Sequence, residues 1–119
     1  MSSVHDSLDT AVTAFRKDLE ASPRSKDVVL MMYSEFGRRV KANASDGTDH
    51  GTAGDDFLIG DLVKPGYHGD QPSLTDLDNG DLKATTDFRS IYSEVSSRLL
   101  GTDPGQVVDG APAPLGVFV

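Results

Sequence analysis

Val28–Gly51, VVLMMYSEFGRRVKANASDGTDHG, is the stretch on which the fold turns. It begins with six consecutive apolar or aromatic residues, Val28 to Tyr33, with no polar member. A run that short and that uniform predicts a strand covered on both faces, as in a parallel sheet. The chain then turns polar at Ser34 and Glu35, and passes Gly37, Arg38 and Arg39. Arg38, Arg39 and Lys41 are expected to extend a short helix, and Asn43 to Gly54 to form a loop carrying Thr48-Asp49-His50-Gly51. Open α/β sheets bind ligands just outside the carboxyl ends of their strands. A glutamate there, followed by an Asp-His pair on a Gly-flanked loop, has the ingredients of a metal or acid/base site.

Working outward, Leu8, Ala11, Val12, Phe15 and Leu19 recur at helical spacing and predict an amphipathic helix packed on a sheet. Asp6 or Ser7 caps it, and Ser22-Pro23 ends it, because a residue preceding proline is pushed out of the helical region. Residues 1–6 are expected to be irregular. Downstream, Phe57-Leu58-Ile59 reads as a second strand, and Lys64-Pro65-Gly66 as a turn. Tyr67 to Lys83 has almost no periodicity and reads as a long surface loop. Thr85 or Thr86 then caps a second helix whose apolar stripe is Phe88, Ile91, Tyr92, Val95 and Leu99, with Gly101 as its C′ residue. Residues 102–115 read as irregular, and Gly116 to Val119 as a last strand. The whole is expected to form a single α/β domain, residues 1–119.

Composition limits the partners. The chain has a net charge of −8, and between Lys41 and Ser90 ten aspartates face four basic residues, leaving −6. Such a field repels nucleic-acid phosphates and anionic lipid headgroups and favours cations. Cysteine is absent, so neither disulfides nor thiolate ligands are available. No apolar run approaches the length of a membrane span. The amino terminus lacks the basic and apolar blocks of a secretory signal.

SEFGRR, GTDHGTA and PSLTDLDNGDLKATTDFRSIYSEV together resemble the C-terminal part of the bacterial proteins grouped as DUF1501, relatives of the alkaline phosphatase and sulfatase superfamily. The similarity runs from about Leu8 to Leu115, roughly the last third of a typical member. It implies a partial three-layer α/β/α sandwich of the alkaline phosphatase/sulfatase type, with few strands, two main helices and long loops. In related phosphatases and sulfatases the nucleophile comes from a part that this chain does not contain. Members are often exported by a twin-arginine leader; the internal Arg38-Arg39 pair is not one.

By position in that frame, Glu35 resembles the acid at a strand end and His50 the later ligand, giving both a catalytic role. Asp49 either binds metal or orients His50. Glu35, Asp49 and His50 would hold Zn²⁺ or Mn²⁺, and Arg38 and Arg39 would clamp a phosphate or sulfate ester. The frame is imperfect, since Phe36 stands where many phosphatases have histidine. The alternative is that Asp49 and His50 merely cap a turn while Glu35 pairs with Arg38 or Arg39. Asp76 to Asp81 has alternating oxygen ligands, but its glycine is misplaced for a calcium loop, so a solvated acidic turn is expected. His68 and His5 read as solvated. Ser34 lacks the setting of a nucleophile. Two or three strands and two helices bury little, so self-association, most simply as a homodimer, is expected. Two functions follow: a metal-dependent hydrolase acting on phosphate or sulfate esters, or a non-catalytic, self-associating structural or partner-binding domain.

Overall fold

A computed structural model describes residues 2–119. Helix α1 spans Ser2–Glu20. It therefore starts earlier than the cap residues Asp6 and Ser7 suggest, and residues 3–6 are helical, not irregular. It ends where Ser22-Pro23 requires. Arg16 pairs with Glu20 one turn on and reaches across to Asp61, tying the helix to the chain beyond the second predicted strand.

Strand β1 covers Leu30–Met32, β2 Gly37–Ala42, β3 Thr48–Gly51 and β4 Phe57–Ile59. These make two antiparallel pairs, β1 with β4 and β2 with β3. The doubly covered parallel strand expected at Val28 to Tyr33 is thus corrected. It is shorter, antiparallel, and only half-buried along its length. The apolar run was a sound strand signal, but periodicity cannot distinguish a covered strand from one that lacks its cover.

Two further corrections concern the segment that follows. Arg38, Arg39 and Lys41 lie in a strand, and part of the expected loop 43–54 is the returning strand β3. Asn43 makes the hairpin possible. Its Oδ1 accepts from Ser45 N at 3.0 Å and Gly47 N at 3.1 Å, while its own backbone amide donates to Gly47 O. Asp46 takes a positive φ of 58° at the tip, a conformation that short polar side chains tolerate. Gly37 is buried beneath Ala53, where an added Cβ would lie 1.4 Å from the Ala53 carbonyl oxygen. No larger residue fits that crossing unless the backbone moves.

Within the expected loop 67–83, β5 (Leu77–Asp78) and β6 (Asp81–Leu82) form a third small antiparallel pair. Asn79 and Gly80 connect them, with φ of 49° and 86°. Positive φ at both central residues is what a two-residue hairpin requires, and Asn-Gly supplies it at little cost. The acidic segment is therefore a hairpin.

Helix α2 runs Phe88–Glu94 and continues as a wider, π-type turn through Leu99. Its cap is Asp87 and not Thr85 or Thr86; Asp87 Oδ1 accepts from Arg89 N at 2.9 Å. Gly101 takes the left-handed conformation expected of it. The predicted last strand reduces to one bridge, Val63 with Phe118, flanked by Lys64 N donating to Val117 O and Val119 N donating to Leu62 O.

The architecture is mixed α/β, two helices with three small antiparallel sheets. Its core is small, with Val117 and Phe118 its buried apolar residues among those described. Beside them are buried Ser90, Ser93, Glu94 and Ser96 on α2. Glu94, 2% exposed, is the anchor. Its Oε2 accepts from Gly116 N at 2.9 Å and its Oε1 from Phe118 N at 3.1 Å. Arg98 adds a bond to the Val119 carbonyl at 2.6 Å. The C-terminal tail is thus held on α2 by polar contacts.

The molecule is also open. Its accessible surface is 8705 Å², against roughly 6200 Å² for a compact monomer of its mass. The radius of gyration is 16.6 Å, where about 13.5 Å is usual for this length. Both quantities describe an extended chain with a small interior.

Candidate functional site

The β2–β3 hairpin carries four of the five predicted site residues, and its pleat separates them into two pairs. Consecutive strand residues point to opposite faces. Arg38 sits directly across from His50. Phe36, at the foot of β2, stacks on His50 with ring centroids 3.6 Å apart and planes 16° from parallel. The Arg38 guanidinium carbon lies 5.8 Å from the centroid of the same Phe36 ring, within cation–π reach. One guanidinium nitrogen of Arg38 donates to the Thr48 carbonyl at 2.8 Å, which fixes the side chain along the hairpin. One face therefore presents a cation, an aromatic ring and an imidazole together, all exposed.

Arg39 and Asp49 belong to the other face. Arg39 is held bidentately by Asp81, at 2.9 and 3.2 Å, and also donates to the Asn79 carbonyl at 2.8 Å. The hydrogen bond to Asp81 raises the guanidinium pKa above its ordinary value, with a smaller contribution from the field of Asp49. Arg39 thus fastens the β5–β6 hairpin to β2 and is occupied by that task. Asp49 accepts from the Asn43 side-chain amide at 3.1 Å. It stabilises the hairpin turn and does not orient His50.

Glu35 is exposed at the turn between β1 and β2, one residue before the ring that covers His50. The turn is fixed by Ser34, whose hydroxyl donates to Phe36 O at 2.7 Å and accepts from Phe36 N at 3.4 Å. Among the described residues Glu35 forms no ion pair with either arginine; Arg39 has Asp81 instead. Of the predicted groups, the structure brings together Arg38 and His50, with Glu35 adjacent in the chain, and separates Asp49 and Arg39 from them.

This arrangement does not by itself fit a metal ion. Among the described residues no three His, Asp or Glu side chains converge in a ligand set. Asp49 and His50, neighbours on one strand, point away from each other, so Glu35, Asp49 and His50 do not close around a shared centre. The motif TDHG concealed this, because ligand spacing read along a loop changes its meaning once the loop becomes a strand.

Three contributors escaped the sequence reading. Phe36 supports His50, Asp81 holds Arg39, and Glu94 holds the tail. Asn79-Gly80 between apolar residues was the available signal for the Asp81 hairpin. Two hollows lie elsewhere and contain none of the predicted site residues. One, of about 540 Å³, is lined by Ser93, Ser97 and the segment around Asp103. The Ser93 hydroxyl beside it is buried and has no hydrogen-bond partner among the described residues. The other, of about 570 Å³, lies between α1 and Ile59.

A mixed α/β layer that carries an exposed Arg-Phe-His cluster on a hairpin is the structural class defined so far. The profile of the family described as "Protein of unknown function (DUF1501)" matches residues 1–111, and the chain belongs to that family. No curated protein and no solved structure matches it. No helix among the described residues is long and apolar enough to cross a membrane.

Proposed function

We propose that the β2–β3 hairpin supplies the oxyanion-binding and proton-handling face of a hydrolase acting on phosphate or sulfate esters, in a sandwich of the alkaline phosphatase/sulfatase type. The observation that carries this reading is the cross-strand pair Arg38–His50 with Phe36 stacked on the imidazole. A guanidinium offers a planar fork to a phosphoryl or sulfuryl oxygen. An imidazole held beside it can give or take a proton. Glu35, at the foot of the same face, is the nearby carboxylate. Zn²⁺ or Mn²⁺ belongs to this proposal only as an ion held jointly with groups from a second surface, since no ligand set closes among the described residues.

The test reads binding and turnover separately. Inorganic phosphate and sulfate, titrated to millimolar concentration, should shift the His50 ring resonances in the native chain and not in Arg38→Ala. Hydrolysis of p-nitrophenyl phosphate or sulfate, followed with and without Zn²⁺ or Mn²⁺, should fall at least tenfold in His50→Ala. Absence of any anion-dependent shift at His50, or equal rates in the two proteins, ends the hydrolase reading.

A second reading is favoured by the open surface. Roughly 2500 Å² more than a compact monomer of this mass exposes is the scale of area that obligate partners cover. On this reading the chain is a self-associating domain, and its assembly does not depend on catalysis.

A further inference from the structure

The end of α2 and the segment that follows it border a hollow of about 540 Å³, within the range of small-molecule sites, about 300–1000 Å³. Ser93, Ser97 and Asp103 are its polar side, and Pro104, Ala111 and Pro112 give it apolar walls. Ser93 is 3% exposed, and its Oγ has no hydrogen-bond partner among the described residues. A helical serine commonly bonds back to a carbonyl of the preceding turn, as Ser97 does to the Glu94 carbonyl at 3.3 Å. Ser93 does not, and a buried hydroxyl left without a partner carries a desolvation cost that a ligand can offset. Ser97 sits on the π-type turn, whose wider bond runs from Leu100 N to Val95 O at 3.1 Å. Such turns recur at functional sites. Being four residues apart, Ser93 and Ser97 share one face of the helix.

Charge decides what the hollow can take. Among the described residues Asp103 is the only charged group in its lining. Asp103 Oδ1 accepts from Gly105 N at 3.1 Å and caps the short turn Pro104–Gln106. The carboxylate joins no ion pair among the described residues, which leaves Oδ2 and the charge for a ligand. Arg89 comes to the rim beside Gly110, where it donates to the Asp109 carbonyl at 3.2 Å, but its charge is engaged by Asp87. An anion therefore finds no cation in the lining. One carboxylate is too few for a metal ion. A primary ammonium, by contrast, carries three N–H donors, and the polar side offers three oxygen acceptors on separate side chains. We propose that this hollow binds a small alkylammonium group, which donates to Asp103, Ser97 and Ser93 while its alkyl chain lies against Pro104, Ala111 and Pro112. Ser93 Oγ lies behind the lining and meets the ligand by turning about χ1 to another staggered position. A free amine and the lysine side chain of a partner protein carry this same chemistry. The site is separate from the β2–β3 hairpin and stands without the hydrolase reading.

The test titrates the native chain with n-butylammonium chloride at millimolar concentration and neutral pH, following backbone amide resonances. Saturable shifts are expected at Ser97, Gly105 and Ala111, with none from n-butanol or butyrate at the same concentration. Asp103→Asn keeps an acceptor for the Gly105 amide and removes the charge, so the chain should stay folded while butylammonium binds at least tenfold more weakly. Ser93→Ala should weaken binding several-fold without lowering the urea midpoint, because the hydroxyl it removes has no partner. Nα-acetyl-lysine amide separates the two sources: binding as tight as that of butylammonium assigns the site to a lysine side chain, and weaker binding to a free amine. Shifts that spread equally to the acidic β5–β6 hairpin and survive Asp103→Asn would reduce the effect to diffuse attraction by a chain of net charge −8 and overturn the proposal. Equal binding of n-butanol would overturn it as well, since the site would then not read charge. Unaltered binding in a Ser93→Ala chain with a lowered urea midpoint would make that hydroxyl structural and remove it from the site.

Discussion

The two helices of this chain are built in opposite senses. In α1 Leu8 and Phe15 of the apolar stripe face outward and Val12 and Leu19 are half-buried; in α2 the buried face is Ser90, Ser93, Glu94 and Ser96, and Phe88 of the apolar stripe is 60% exposed. Both depart from the usual globular pattern, and for one reason. A helix buries its apolar side only where another layer is present to receive it. In α2 the tail arrives on the polar side, so the contact is made by hydrogen bonds. Glu94 is long enough to reach two alternate amides, Gly116 and Phe118, and the intervening Val117 is buried. The difference shows that periodicity reports which face a helix could bury, and that topology decides which face it does bury.

The sharpest way to break the comparison is at Glu94. Glu94→Ala removes the acceptor from two backbone amides, one of them at the buried Phe118, and a buried donor left without a partner costs its desolvation. We expect a loss of about 3 kcal/mol in urea unfolding, together with fast hydrogen exchange at the Gly116 and Phe118 amides. Glu94→Gln retains the side-chain length and one oxygen, and should recover part of both. Unchanged protection at these amides in Glu94→Ala would show that the tail is held by its apolar residues alone.

Next in size is the acid sensitivity of the contact that anchors α1. Asp61 is held below the ordinary aspartate range, first by the Ser25 hydroxyl and then by the Arg16 guanidinium. Asp87, the cap of α2, is lowered in the same direction, first by the Arg89 side chain and then by its backbone amide. A carboxyl whose folded pKa is depressed binds fewer protons in the native state than in the unfolded one. Its contribution is therefore present above the unfolded value, about 3.9 for aspartate, and is lost as pH falls through the lower folded value. Both helices should loosen in acid, below about pH 4, and not around neutrality. Helix content followed by circular dichroism against pH checks this. In Asp61→Asn the acid-dependent loss should shrink for α1 amides and be unchanged for α2 amides, which separates the two anchors.

Much of this was legible in the sequence, but the layer arrangement was not. The helices at Leu8–Leu19 and Phe88–Leu99, the strand pieces at residues 30–32 and 57–59, and the left-handed Gly101 all follow from local signals that the chain satisfies by itself. What the sequence did not reveal is pairing. Val28 to Tyr33 reads as doubly covered because its residues are suited to cover, and nothing local says whether cover exists. At the candidate site, Asp49 and His50 look like joint ligands in a loop. Asn43 bends the chain into a hairpin, and the pleat then turns the two side chains apart. Arg38 and Arg39 are divided in the same way, one left on the His50 face and the other taken by Asp81. The Asn79-Gly80 turn was readable; that it delivers Asp81 to Arg39, 42 residues away in sequence, was not.

The smallest expected effect completes the comparison. Phe88 opens the apolar stripe of α2, and a sequence reading ranks it among the core residues. In the structure it is mostly exposed, and its principal partner is Tyr92, one turn on, at 5.7 Å and nearly perpendicular. An exposed edge-to-face pair within one helix contributes at most about 1 kcal/mol. Phe88→Ser should therefore cost less than about 1 kcal/mol in urea unfolding, well below Glu94→Ala, which inverts the order that hydrophobicity alone predicts. The cap at Asp87 is untouched by the change, so helix content should hold. If Phe88→Ser instead destabilises the chain as much as Glu94→Ala does, then the apolar face of α2 is covered in solution. In that case the polar face is not the sole anchor of the helix.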